Sequence, residues 1–207
     1  MIDTKQKILD TAERLIGDQG YAATSLRHII AEAGVNLAAV HYHFGSKEDL
    51  LDQVILRKAE AVNTERQARL DRLEAEAEGQ PLPVESILAA FFEPMMEAGS
   101  RNPQFVRLMG RMYAEGLLPT VVAKHFHPTL VRFTQALRRA LPDLSEAELF
   151  WRQQFMIGAM SHAVCMPRES WPVLAAEPDA PDFRRTLRRL MVFLCGGLRA
   201  PATPEVH

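Results

Sequence analysis

Cysteine is nearly absent. Cys165 and Cys195 are the only two in 207 residues, too few for a disulfide framework, so the core must hold by packing alone. No run of about 18 apolar residues occurs, which leaves no candidate transmembrane helix. The opening Met1-Ile-Asp-Thr-Lys-Gln-Lys lacks an apolar stretch of signal-peptide length, so a cytoplasmic location with no membrane partner is expected. Basic charge is not in excess either. The formal net charge is -2, and residues 1–60 hold seven Lys and Arg against nine Asp and Glu. Bulk charge therefore advertises no nucleic-acid surface, and any such surface must rest on local arrangement. Catalytic signatures are missing as well: there is no Gly-x-Ser-x-Gly elbow, phosphate loop or dinucleotide fingerprint. Glu93 and Glu97 stand four apart in ordinary helical sequence. Neither an enzyme nor a bound cofactor is expected.

What is present is helix. Hydrophobic residues make up 47% and charged residues 24%, enough apolar material for a core and too much for disorder. No segment alternates as a strand would. The first helix is expected from about Thr4 to Asp18, with Ile8, Leu9, Ala12, Leu15 and Ile16 on one face. Gly20 stops it. Thr24 or Ser25 caps a short second helix with Leu26, Ile29, Ile30 and Ala33 as its stripe. Gly34 breaks the chain, Asn36 caps a third short helix from Leu37 to Phe44, and Gly45 breaks it again. Ser46-Lys47-Glu48-Asp49 then opens a long helix to about Glu76.

Gly79 to Pro83 reads as a linker. Beyond it, helices are expected over Val84–Gly99 with a kink at Pro94, and from Pro103 after an Asn102 cap. Another lies between Pro119 and Ala140, kinked or split at Pro128. A further helix runs from Ser145 to about Met166, and the last from about Asp182 to Leu194, ending at Gly196-Gly197. Pro167 to Pro181 reads as a loop. The fold class is all-α with about nine helices. A three-helix helix-turn-helix head over residues 1–50 precedes a helical effector-binding and dimerisation domain over residues 51–207.

Short helices two and three, joined at Gly34, describe a helix-turn-helix. Glycine can take the positive φ the turn needs, and Ile29, Ile30, Val35 and Val40 can form the small core beneath it. The run Thr24-Ser25-Leu26-Arg27-His28-Ile29-Ile30-Ala31-Glu32-Ala33-Gly34-Val35, followed by Tyr42-His43-Phe44-Gly45-Ser46-Lys47-Glu48-Asp49-Leu50-Leu51, resembles the signature of the TetR family. The resemblance implies a regulator that binds palindromic double-stranded operator DNA. By position it implies phosphate contacts from Thr24, Arg27, Tyr42, His43 and Lys47. Asn36, Leu37, Ala38, Ala39 and His41 fall on the exposed side or N-terminal end of the recognition helix. Leu37, Ala38 and Ala39 can touch thymine methyls, which leaves base hydrogen bonds mainly to Asn36 and His41. Phe44 and Val40 read as core, and Tyr42 and His43 have a part-core or capping role as their alternative.

The same resemblance implies a homodimer through the last two long helices. They carry Leu149, Phe150, Phe155, Met156 and Met160, and Phe183, Leu187, Leu190, Met191 and Leu194; ordinary intrachain core is the alternative. It also implies a small-molecule effector chamber in the middle helices. Candidate lining residues are Phe92, Met96, Phe105, Met109, Arg111, Met112, Tyr113, Phe126 and Phe155. Phe105 to Arg111 and Trp151 to Ala163 are similar to a branch that senses fatty-acid-like molecules. The leading expectation is thus a repressor released by a lipophilic effector, with an activator or a metal sensor of the same fold as alternatives. Metal ligation has little support. His41 and His43, like His125 and His127, stand two apart, which turns the rings about 200° from each other on a helix. His162 and Cys165 lack an evident third ligand.

Overall fold

The protein is described here by a computed structural model over residues 3–165 and 183–202. Among the described residues there are ten α-helices and no strand. They are α1 Thr4–Gln19, α2 Leu26–Ala33, α3 Leu37–His43, α4 Lys47–Glu76, α5 Val84–Arg101, α6 Pro103–Ala114, α7 Leu118–His125, α8 His127–Ala140, α9 Glu146–Cys165 and α10 Phe183–Arg199. The all-α class is as expected, and the extra helix has a local cause. The segment before Ala140 divides at Phe126, whose N–H closes α7 on the Val122 carbonyl at 3.0 Å. Pro128 then falls in the first turn of α8, where a missing N–H costs nothing. The proline-rich stretch 167–181 lies outside the described residues.

Helix starts follow side-chain chemistry. Asp3, Ser25 and Asn102 each cap a helix by accepting a backbone N–H; at α2 the cap is Ser25, not Thr24. Ser46 and Ser145 do the same for Asp49 and Glu148 at the starts of α4 and α9. The end of α10 departs from expectation, because the helix runs through Gly196-Gly197 to Arg199. The reason is Arg152 on α9. Its guanidinium donates to the carbonyls of Gly197, Leu198, Ala200 and Pro201 at 2.7–3.1 Å, while Glu148 holds it from one turn back. Those carbonyls would otherwise have no helical partner, so the terminus needs no left-handed glycine cap.

The chain gathers into two compact units. One comprises residues 1–62 and 101–127, the other residues 63–100 and 128–207. In the first, α6 lies against α1 at Gly17. A Cβ there would stand 3.4 Å from the Gln104 carbonyl oxygen and 3.5 Å from the Leu108 nitrogen, ordinary contact distances, so the two backbones pass within one side-chain atom of each other. The buried Glu13 carboxylate receives Arg57 at 2.6 Å and Asn102 at 2.9 Å, with Lys58 at 3.4 Å. A buried carboxylate is tolerable only when paired in this way.

In the second unit, Ile87, Leu88, Phe91 and Phe92 of α5 join Phe133 and Leu137 of α8 and Leu149 and Met156 of α9 in one buried cluster. Arg66 of α4 is buried in this unit. It donates to the Phe91 carbonyl at 2.7 Å and lies 3.9 Å over the Phe91 ring. Pro94 supplies no N–H to Ala90 and loosens the α5 ladder beside that carbonyl. Burial pushes the Arg66 guanidinium down to about 9, so it stays protonated at neutral pH. Arg66→Ala removes a buried side chain and strips the Phe91 carbonyl of this donor. It should cost roughly 2–4 kcal/mol by urea denaturation.

Candidate nucleic-acid interface

The turn between α2 and α3 is built as its sequence predicts. Gly34 adopts φ 59°, ψ 41°, the left-handed conformation, and the Gly34 and Val35 N–H groups donate back to Ala31 and Ile30. This closes α2 in the space of one residue and sends α3 off at a fixed angle. Val40 on α3 and Phe44 just past its end are buried and anchor it with Ile29 and Ala33, the buried pair of α2.

The other side of α3 faces outward. Leu37 is 53% exposed and Tyr42 is 86% exposed, high values for large apolar or aromatic side chains. Asn36, Ala38 and His41 are exposed with them, and Arg27 on α2 is exposed too. The Ala39 side chain lies outside the described residues. His43 is half-buried between its neighbours, its ring 5.1 Å from that of Tyr42 and 6.0 Å from that of Phe44. His41 is held by a 3.1 Å contact between Nδ1 and the Gly45 carbonyl.

Thr24 is placed otherwise than the resemblance implied. It is wholly buried, and its hydroxyl donates between the Gly20 carbonyl at 2.7 Å and the Leu15 carbonyl at 3.3 Å. A side chain so committed has nothing to offer a phosphate. Its work is to hold the end of α1 against the start of α2.

Lys47 stands at the first position of α4, where free N–H groups and the helix dipole favour an anion. Its ammonium donates to the Tyr21 carbonyl at 2.5 Å and sits 4.0 Å from the Tyr21 ring centroid. The Tyr21 hydroxyl donates to Glu48 at 3.0 Å. Burial, and then this bond to a carboxylate, push the Tyr21 phenol up to about 12. Glu48 is held below the usual carboxylate range by a backbone N–H and by Tyr21. Nothing in the sequence marked Tyr21 as a neighbour of Lys47, because the pair is joined across 26 residues by the fold alone.

The expected effector-lining residues fall on both units. Phe105, Met109, Arg111, Met112, Tyr113 and Phe126 belong to the first unit, and Phe92, Met96 and Phe155 to the second. Phe92 is core, Phe155 is 67% exposed, and Arg111 donates to the Asp18 carbonyl at 2.9 Å. A cavity of about 330 Å³ in the second unit is lined by Glu93, Met96, Glu97, Ser100, Leu187 and Arg188; of the expected residues only Met96 reaches it. Among the described residues no three His, Cys, Asp or Glu side chains group as metal ligands. No helix among them is long and apolar enough to cross a membrane.

Comparison with known proteins gives two family matches. Residues 8–54 match the bacterial regulatory proteins of the tetR family, and residues 86–197 match a tetracyclin repressor-like C-terminal domain. The chain is 44% identical over 52 residues to the regulator AcrR of Shigella flexneri, covering 25% of this chain and 24% of that protein. It is 37% identical over 87 residues to BetI of Rhizobium meliloti, covering 36% of this chain and 43% of BetI. The chain thus spans less than half the length of these relatives. Among solved structures, a tetR family regulator from a Shewanella species matches at TM-score 0.65 and 22% identity, covering 94% of this chain and 97% of that one. FadR of Bacillus halodurans matches at TM-score 0.63 and 16% identity, covering 97% and 99%.

Thr24→Val separates packing from contact. Losing two buried hydrogen bonds should cost roughly 1–3 kcal/mol in urea denaturation. The salt dependence of DNA binding should stay as in wild type, measured where both proteins are folded.

Proposed function

Since the chain belongs to the TetR family, we propose that it binds palindromic operator DNA as a homodimer and leaves it when a small lipophilic effector binds. The observation that carries the DNA-binding reading is the outward face of α3. Leu37, Ala38, His41 and Tyr42 project from a helix whose opposite side, Val40 and Phe44, is anchored in the head. A helix presented this way suits the major groove. Arg27 and Lys47 flank it and supply phosphate contacts, with the α4 N-terminus adding backbone N–H groups. Tyr42 and His43 add hydrogen-bond donors to backbone phosphate. The thin polar complement of α3 leaves a large share of sequence discrimination to DNA shape.

Dimerisation is supported by what α9 and α10 leave uncovered. Phe150, Trp151 and Phe155 on α9 are 53–67% exposed, and Val192 and Phe193 on α10 are 76% and 70% exposed. Trp151 and Phe155 are stacked at 6.1 Å between centroids. A large apolar surface on two neighbouring helices marks an interface, and a second copy meeting it through a two-fold axis would present two reading heads. The lipophilic effector rests on the Met and Phe content of the middle helices and on the family likeness. Whatever its identity, it acts only through different affinities for the DNA-bound and released states. A repressor is the reading preferred here; an activator of the same fold differs in where its operator lies, not in how it binds.

Two measurements test this. Lys47→Ala should lower the slope of log affinity against log salt by about one unit per subunit, whereas Tyr42→Ala, which removes no charge, should weaken binding with the slope retained. Phe155→Glu combined with Phe193→Glu should sediment as a monomer with native helix content. It should bind operator on the order of 100-fold more weakly, because the second head no longer binds intramolecularly. A dimer that persists in this variant places the interface elsewhere.

A further inference from the structure

The elbow between α1 and α2 is held by a side chain from far along the chain. Glu115, just past the end of α6, turns its carboxylate onto two successive peptide groups. Oε1 accepts the Tyr21 N–H at 2.8 Å and Oε2 accepts the Ala22 N–H at 3.1 Å. The approach depends on Gly20, where a Cβ would lie 2.4 Å from Oε1; any side chain there would displace the carboxylate. Tyr21 is also the residue that holds Lys47, through its carbonyl and its ring, and Glu48, through its hydroxyl. A continuous set of contacts thus runs from the end of α6, through one peptide, to the first turn of α4. Further up α6, Arg107 reaches the Asp18 carboxylate at 3.2 Å and Arg111 the Asp18 carbonyl at 2.9 Å, so the whole helix is registered against the end of α1.

We propose that Glu115 is a positioning residue for DNA binding, fixing the Tyr21–Ala22 elbow and thereby the placement of Lys47 at the phosphate-facing end of α4. The inference rests on the reading of Lys47 as a phosphate contact. Charge-assisted bonds to backbone N–H groups are about twice as strong as neutral ones, and two from one carboxylate fix both the position and the tilt of the elbow. When Glu115 is lost, Tyr21 is free to shift, and the Lys47 ammonium moves with the carbonyl and ring that hold it. α6 then influences DNA affinity without touching DNA.

The test is a double-mutant cycle read on a duplex selected by the wild-type protein from a random-sequence pool. Glu115→Ala should raise Kd by about tenfold and lower the salt slope as far as Lys47→Ala does. The double variant should bind no more weakly than Lys47→Ala alone. Glu115→Gln, which keeps one carbonyl acceptor, should fall between. Hydrogen exchange should quicken at the Tyr21 and Ala22 amides with far-UV circular dichroism unchanged. Additive losses from Glu115→Ala and Lys47→Ala, or an affinity loss with the wild-type slope, overturn the inference while leaving Lys47 its role. If Glu115→Ala fails to fold, the cycle is run with Glu115→Gln, and additivity there has the same force. A Lys47→Ala variant with the native slope, or a wild-type protein that selects no duplex, removes the reading beneath the inference and the inference with it.

Discussion

A head that carries no surplus of positive charge has to place each cation with care if it is to bind a polyanion, and the architecture of residues 1–62 follows from that constraint. Its acids are tied up locally. Glu13 is buried beneath Arg57 and Lys58, Glu32 is paired with Arg14 at 2.7 Å, and Asp52 takes Lys124 and His125 at 2.8 and 2.7 Å. Burial works against the Asp52 anion, yet these two partners outweigh it and hold the carboxyl below its ordinary range. Paired acids project little field, so short-range features decide the sign of the surface. On the proposed reading, Arg27, Lys47 and the first N–H groups of α2 and α4 make one edge of this slightly acidic segment attractive to phosphate.

Placement requires rigidity, and the head adds bonds to backbone polar groups to its buried apolar packing. The Thr24 hydroxyl bridges two carbonyls, Lys47 takes a third, and Gly34 closes α2 by its conformation alone. The second unit solves its own problem by the same means. Arg152 collects four carbonyls at the end of α10 and binds that helix to α9. The aromatic residues on α9 and the apolar pair on α10 are thereby held in one relation. An apolar face shared between two helices can pair with a second copy only if the helices keep that relation, so on the proposed dimer reading Arg152 supports the interface from within.

Legibility in the sequence tracked sequence distance. Helix starts at Ser25, Ser46, Asn102 and Ser145, the left-handed Gly34 and the Val40–Phe44 anchor were readable because each depends on residues within a turn or two. The number of helices depended on whether Pro128 kinks or splits; Pro128 has no N–H to carry the ladder past Phe126, where α7 closes on the Val122 carbonyl. One local reading went astray because a distant partner outweighed the local rule. Gly196-Gly197 does not end α10, since Arg152 reaches across 45 residues or more to cap it. The phosphate contact at Thr24 came from the family likeness and not from a local rule, and the Leu15 and Gly20 carbonyls that take its hydroxyl are near neighbours in sequence. The effector residues are the least legible part of the sequence because Met and Phe on a helix are equally at home in a core or a cavity, and periodicity carries no information to separate the two.

Under the proposed function, the Glu115 contact also bounds how an effector can work. Moving a two-state regulator from almost wholly bound to almost wholly released takes roughly 10⁴-fold discrimination, about 5.5 kcal/mol. A hydrogen bond to a charged group contributes about 1.5–3 kcal/mol net, less for one as exposed as Glu115. Loosening the elbow alone therefore yields a partial response. A complete one needs a second contribution, and the dimer is the natural source. A change that costs each head a modest amount is counted twice on a palindrome, and a shift in head spacing adds the loss of simultaneous engagement. Coupling through α6 and dimerisation through α9 and α10 are on this view two halves of one requirement, since neither a single elbow nor a single head commands enough free energy to switch the operator.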